Sequence, residues 1–261
     1  MADMKRNEFM MQVLAELAPE IRAARTMPRA VSPGVAGVLA NFLPLPPKSI
    51  FLGVATDGLP VLLSLKDAVP GPMLIAGDGG SGKTALLQVI ARAVEETHAP
   101  KEVQYGVITE HPEDWESLQG TPHRVDIFPS YKNTAQDFLS SLDDWAHSNH
   151  GEQQSVLLLV DDLSAIMKMD IEARQSLRWL LLRGPSRRVW PIVTLNPDRL
   201  QEVHPWTSFF HTRLFGRIAD PKHVNELAGG SRPRLESLAA GTEFMIREGN
   251  DWLKFWIPSI D

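Results

Sequence analysis

Met73-Leu74-Ile75-Ala76-Gly77-Asp78-Gly79-Gly80-Ser81-Gly82-Lys83-Thr84 decides how this chain is read. Four apolar residues of strand character run into the pattern G-x-x-x-x-G-K-[ST], and a helical stretch over residues 85–96 follows at once. Strand, loop and helix therefore arrive in the order that a phosphate cradle needs. The glycines let successive backbone N–H groups turn inward as an anion nest, and the helix adds the positive end of its dipole. Gly77, Gly79, Gly80, Ser81, Gly82, Lys83 and Thr84 are thus the expected nucleotide-binding residues. In that role Lys83 reaches the β- and γ-phosphates and the Thr84 hydroxyl ligates Mg²⁺. ATP and Mg²⁺ are the expected cofactors.

A second element lies about half a domain downstream. Ser155-Val156-Leu157-Leu158-Leu159-Val160-Asp161-Asp162 is an apolar strand ending in two acids. Carboxylates there stand at the carboxyl edge of a buried sheet, where open α/β sheets bind their ligands. This is the expected Walker B element, with Asp161 holding the metal through its water shell and Asp162 orienting or deprotonating the attacking water. Many hydrolysing ATPases of this kind carry Glu at the second position, and Asp162 is one methylene shorter. Slower hydrolysis or an altered geometry is the expectation. Trp190-Pro191-Ile192-Val193-Thr194-Leu195-Asn196 is another apolar run with a polar end, and Asn196 is the expected γ-phosphate sensor, the alternative being a turn residue before Pro197. Arg183, Arg187 and Arg188 cluster around Gly184-Pro185. They read either as a solvated basic turn or as guanidinium groups offered to a neighbouring subunit's nucleotide.

The remaining chain supplies the frame. Candidate strands at 50–54 and 60–65 flank Asp57-Gly58, a hairpin signal. Further strands are expected at 72–76, 103–109, 156–161, 190–195 and 214–219, mostly separated by helix-length segments, which predicts right-handed crossovers and a largely parallel sheet. A last pair at 242–247 and 252–257 reads as a second hairpin. Residues 1–25 carry Phe9, Val13, Leu14, Leu17 and Ile21 at helical spacing, and residues 26–48 hold five prolines and read as an extended linker. The P-loop ATPase domain is expected over 49–261.

Composition bounds the partners. With 261 residues, 43% of them hydrophobic and 22% charged, the chain can bury a large core without disulfides, and it has no cysteine. Thiolate metal centres and cysteine nucleophiles are excluded. A reducing, cytoplasmic setting is expected, with no signal peptide and no transmembrane segment. The net charge of −6 argues against a broad nucleic-acid surface and leaves room for local basic contacts. His147 and His150 have i, i+3 spacing without an acidic partner, so they read as a solvent-facing pair rather than a metal site. Trp115, Trp145 and Trp179 fall in expected helices and read as packing.

The pattern as a whole resembles the FtsK/SpoIIIE/HerA superfamily of P-loop motor ATPases, including the EccC-type ATPase domains of type VII secretion. The resemblance is carried by Phe51-Leu52-Gly53-Val54-Ala55-Thr56-Asp57-Gly58-Leu59-Pro60-Val61 before the phosphate loop, by the loop itself, and by Val160-Asp161-Asp162-Leu163. Val193-Thr194-Leu195-Asn196, Thr212-Arg213-Leu214-Phe215 and Ala228-Gly229-Gly230 continue it, so that residues 49–258 are covered. The resemblance implies a RecA-like (ASCE) α/β P-loop NTPase, with a mostly parallel sheet, helices on both faces and flanking β-hairpins. It also implies a homo-oligomeric, hexameric ring that grips a polymer, usually duplex DNA. Glu110-His111-Pro112 and Met167-Lys168-Met169 are its pore-facing loops by position, and Lys168 is their convincing phosphate contact. An arginine serving the adjacent subunit is usual shortly before the glycine pair; here that stretch reads Pro221-Lys222-His223-Val224-Asn225, so Arg187, Arg188 or Arg217 would have to replace it. A DNA translocase is the leading expectation. The alternatives are a secretion ATPase acting on a protein cargo or a membrane-bound partner, and an assembly module that hydrolyses slowly or never.

Overall fold

Met73 and Ile75 pack into one apolar core and Leu74 and Ala76 into another, on the opposite side of the same strand. Side chains alternate along a strand with period two, so a strand that is apolar at every position must be covered on both faces. All four residues of this strand are buried, as is every residue of Val189–Leu195. This short-range pattern is what builds a sheet sandwiched between two layers of helices.

The computed structural model describes residues 33–66, 71–118, 120–149, 154–229, 233–248 and 251–260. The expected helix over 1–25 and the first part of the expected linker lie outside the described residues. The described strands are β1 (Ser49–Ala55), β2 (Pro60–Ser64), β3 (Met73–Ala76), β4 (Val103–Thr109), β5 (Arg124–Pro129), β6 (Ser155–Asp161), β7 (Val189–Leu195), β8 (Thr212–Phe215), β9 (Glu243–Glu248) and β10 (Asp251–Trp256). The helices are α1 (Val35–Leu39), α2 (Lys83–Thr97), α3 (Asn133–Ser148), α4 (Leu163–Ile166), α5 (Ile171–Arg183), α6 (Leu200–Val203) and α7 (Pro221–Ala228).

The strands form one sheet in the order β2-β1-β10-β9-β8-β3-β7-β6-β4-β5. The block from β8 to β5 is parallel, and β9, β10, β1 and β2 extend it as antiparallel strands. Mostly parallel strands with helices on both faces give the α/β architecture of a RecA-like ASCE P-loop NTPase. Two hairpins, β1–β2 and β9–β10, join through β1 and β10, with Val54 opposite Trp256 and Ala55 opposite Phe255. α1 and α2 cover one face, through Val35, Val38 and Leu39 and through Leu86, Val89, Ile90 and Val94. α3, α5 and α7 cover the other through Phe138, Leu139, Leu142, Leu177, Leu180, Leu181, Val224 and Leu227.

Four local differences from the sequence reading have physical causes. Residues 34–48, read as extended linker, begin with α1, whose Val35, Val38 and Leu39 are buried, so the folded unit starts at Gly34. β5 is an edge strand with exposed or half-exposed residues, including Val125 at 45%, and lacks the apolar run that marks the others. β8 ends at Phe215 instead of continuing to Ala219, because the chain leaves the sheet there to brace the phosphate loop. Trp115 is fully buried but sits in a 3₁₀ turn, Pro112–Leu118, which contains a proline and three acids and does not extend into an α-helix.

Candidate nucleotide site

The loop between β3 and α2 is shaped by backbone that only glycine adopts without strain. Gly80 has φ +72° and Gly82 has φ +93°, both left-handed. At Gly82 space is limiting too: a Cβ would lie 2.7 Å from the carbonyl oxygen of Gly241, in the turn that leads into β9. The loop is braced on both sides. Gly77 donates its N–H to Leu195 O on β7 at 3.2 Å, and Asp78 donates to Arg217 O at 2.9 Å. Ala219 in turn donates its N–H to Asp78 Oδ2 at 2.8 Å. α2 starts at Lys83 with no side-chain cap, so the free N–H groups of its first turn meet the loop together with the positive end of a fifteen-residue helix.

Lys83 lies across this cradle. Its Nζ donates to Gly77 O at 2.7 Å and to Asp78 O at 2.9 Å. Burial lowers its pKa below the ordinary lysine range, and the carboxylates of Asp161, Asp162, Asp78 and Asp198 act against that shift. An ammonium surrounded by acids at the mouth of an anion nest is placed to meet a polyphosphate.

β6 ends beside it. Asp161 Oδ2 accepts the Thr84 hydroxyl at 2.9 Å, and Asp161 Oδ1 accepts the Thr194 hydroxyl at 3.0 Å. Burial raises the pKa of Asp161 above the usual carboxylate value, while the two hydroxyls and Lys83 favour its charged form. A hydroxyl and a carboxylate in contact form the hard-oxygen set that Mg²⁺ prefers, and Mg²⁺ keeps water for its remaining positions. In the same loop Ser81 Oγ is buried without a hydrogen-bond partner, a polar atom left unsatisfied until the loop holds something. Both observations fit a magnesium nucleotide.

Thr194 escaped the sequence reading. Its hydroxyl also accepts the Asp162 N–H at 2.7 Å, so one side chain on β7 ties down both acids at the end of β6. Val160 pairs in register with Val193, which puts Asp161 level with Thr194. A lone hydroxyl inside a buried apolar run was the available signal, because such a group needs a partner.

Asp162 stands next to the site but is turned. Its φ is +85°, a strained value for a residue with a Cβ, and it caps α4. Asp162 Oδ1 accepts the Ser164 N–H at 2.9 Å and Oδ2 accepts the Ser164 hydroxyl at 2.7 Å. Asn196 follows β7 at the same edge, where its Oδ1 caps the 3₁₀ turn Pro197–Arg199 by accepting the Asp198 N–H at 3.2 Å.

The expected arginines separate into two groups. Arg183, Arg187 and Arg188 come before β7, at the edge of the sheet opposite the phosphate loop; Arg187 donates to Asn149 O at 3.4 Å and Arg188 to Leu65 O at 3.2 Å. Arg217 follows β8 and lies against the chain's own loop, its Nε donating to Glu236 O at 3.4 Å. The two expected pore loops touch one another through Lys168 Nζ and Glu110 Oε1 at 2.9 Å. His147 bonds Asp143 and stacks on Trp179 at 3.8 Å between ring centroids, while His150 lies outside the described residues. Among the described residues there is no cluster of three metal-ligating side chains, and no helix is long and apolar enough to cross a membrane.

No family model matches the chain, and comparison with curated protein sequences also finds no match. Solved structures do match in fold. The cytoplasmic domain of the Thermomonospora curvata type VII secretion ATPase EccC is 18% identical with a TM-score of 0.64, the match covering 88% of this chain and 28% of that one. EssC (ATPases 2 and 3) from Geobacillus thermodenitrificans is 14% identical with a TM-score of 0.66, covering 84% of this chain and 48% of that one. The pCW3 conjugation coupling protein TcpA, solved as a monomer with ATPγS, is 16% identical with a TM-score of 0.64, covering 85% and 68%. The chain spans between 28% and 53% of the length of the EccC and EssC structures. At these identities the likeness is one of fold.

Proposed function

We propose that this chain is an ATP-hydrolysing motor domain that works in a homo-oligomeric ring in the cytoplasm and moves a polypeptide, as a secretion ATPase does. The observation that carries the enzymatic half is the contact set Thr84–Asp161–Thr194 standing over a braced phosphate loop. In this reading the N–H groups of residues 77–84 and the Lys83 ammonium hold the β- and γ-phosphates, and Thr84 and Asp161 hold Mg²⁺. The metal, when bound, neutralises phosphate charge that develops in the transition state. Asn196, its oxygen engaged in a cap, keeps its amide donors for the γ-phosphate. Arg187, Arg188 and Arg217 are the candidates for a guanidinium reaching a neighbouring subunit's nucleotide.

The cargo is argued from charge. Lys168, the one cation of the expected pore loops that suits a phosphate, is paired with Glu110. The chain as a whole carries −6. Duplex DNA is held by neutralising several phosphates at once, and a ring of single lysines provides little of that. Uncharged and mixed polypeptide segments need no such grip.

The test is ATP turnover across a protein concentration series with and without linear duplex DNA, with a gel shift at 50 and 200 mM salt. The proposal expects turnover per chain to rise with protein concentration, no stimulation by DNA and no salt-dependent shift. A DNA-stimulated rate with a steep salt slope would move the assignment to a DNA translocase. A rate of zero with intact nucleotide binding would leave an assembly module.

A further inference from the structure

Asp162 occupies the position where the water-activating acid was expected, and both of its oxygens are taken. Ser164, itself 1% exposed, supplies an N–H at 2.9 Å and a hydroxyl at 2.7 Å. The φ of +85° turns the residue toward α4.

A second carboxylate stands at the same height. β4 lies next to β6 in parallel register, with Thr109 opposite Asp161, so that Glu110 and Asp162 are the residues that leave the two neighbouring strands at the same edge. Thr109 is held by accepting the His111 N–H at 3.0 Å, which fixes the end of β4. Glu110 has the longer arm. Its Oε1 accepts from Lys168 Nζ at 2.9 Å, which places the carboxylate beside the turn that follows α4, at the same edge of the sheet as Asp161 and Thr194. Its partner Lys168 follows α4, the short helix that Asp162 caps, and in the pair the side chains are 60% and 39% exposed.

We infer that Glu110, rather than Asp162, takes the proton of the attacking water, and that its ion pair with Lys168 holds it aside until an anionic group on the cargo engages the lysine. This rests on the ATP-hydrolysing reading above. The water oxygen bonds to the γ-phosphorus while the bond from that phosphorus to the β–γ bridging oxygen breaks, its electron pair leaving with ADP. The water proton passes to the Glu110 carboxylate and from there to solvent. The latch is weak by construction. An exposed pair of this kind shifts an equilibrium by no more than about fivefold, which a competing carboxylate can overcome.

The experiment measures phosphate release and the affinity for a fluorescent (mant) ATP on the wild-type chain and on Glu110→Gln, Asp162→Asn and Lys168→Ala, with thermal melts as the folding control. Glu110→Gln is expected to lose about 100-fold or more in kcat with nucleotide affinity within about threefold of wild type, as for removal of a general base. Asp162→Asn, which can still cap α4, is expected to stay within about fivefold in kcat. Lys168→Ala is expected to raise the cargo-free rate by up to about fivefold. Wild-type turnover with Glu110→Gln within about threefold of it, or a loss in Asp162→Asn as large as that in Glu110→Gln, overturns the inference and leaves the ATPase reading intact. A lower rate in Lys168→Ala overturns the latch. Absence of turnover in the wild-type chain, with mant-ATP bound, overturns both readings.

Discussion

Thr194 donates its hydroxyl hydrogen to Asp161 Oδ1 at 3.0 Å from β7, the strand that lies between the one bearing Asp161 and the one feeding the phosphate loop. Thr194 Oγ1 in turn accepts the Asp162 N–H at 2.7 Å. Thr194→Val keeps the shape and removes both bonds. Each buried group left unpaired costs about 1–3 kcal/mol, so a loss of about 2–4 kcal/mol is expected. Thr194→Ser, which keeps the hydroxyl, should recover most of it. Thermal melts of the three proteins check this, and ATP turnover should fall with the valine variant and not with serine.

Asp161 is held charged at a site that favours the neutral form. Its folded pKa is raised, so at neutral pH the charge opposes folding, and that opposition disappears as pH falls through the folded pKa toward the unfolded value. Asp161→Asn should therefore melt higher than wild type at pH 7 without nucleotide, and the gap should close on acidification toward the ordinary Asp range. With ATP and Mg²⁺ in excess the order should reverse, since the variant loses its metal carboxylate and at least about 100-fold in turnover. Melts at several pH values, with and without nucleotide, read the three stability outcomes, and phosphate release reads the turnover.

Gly82→Ala meets two obstacles at once. The left-handed φ of +93° costs about 1–2 kcal/mol for any residue with a Cβ, and that Cβ would stand 2.7 Å from Gly241 O, which is backbone and cannot swing away. Loss of mant-ATP binding is expected together with a drop of about 2 kcal/mol or more in stability. Ordinary affinity in the alanine variant would show that the turn at Gly241 yields.

Arg213 holds three carbonyls where β8 begins. Its guanidinium donates to Phe210 O at 3.0 Å, Thr207 O at 2.8 Å and Leu227 O at 2.6 Å, and burial lowers its pKa from the ordinary arginine value. Lysine can offer its donors only from one point and cannot reproduce the planar fork. Arg213→Lys should cost about 2–3 kcal/mol, checked by denaturant titration, with nucleotide affinity retained in the folded fraction because the bonds lie away from the phosphate loop.

What could be read from the chain in order was whatever short-range chemistry specifies. The phosphate loop needs glycines, a lysine and a threonine at fixed spacing, and residues 73–84 supply them within one strand–loop–helix unit. Buried strands such as β4, β6 and β7 announce themselves because both faces are covered and most of their positions are apolar. β5 did not, since an edge strand with one open side carries no such run. Nor did α1, because a five-residue helix beside a proline-rich stretch owes its form to packing against α2 and to the bridge between Gly34 and Ser259.

The tertiary structure alone decided which side chains meet. Asp161 and Asp162 are neighbours in sequence and look alike there, yet one faces Thr84, 77 positions earlier, and the other is drawn into the cap of α4. Thr194, Glu110 and Lys168 take their meaning from the order of strands at the carboxyl edge. The joining of the two hairpins through β1 and β10 brings together segments some 200 residues apart. The physical reason is that glycine, charge and periodicity act within a few residues of backbone, whereas a hydrogen bond across a sheet depends on strand order and register, which are set by burying the whole core at once.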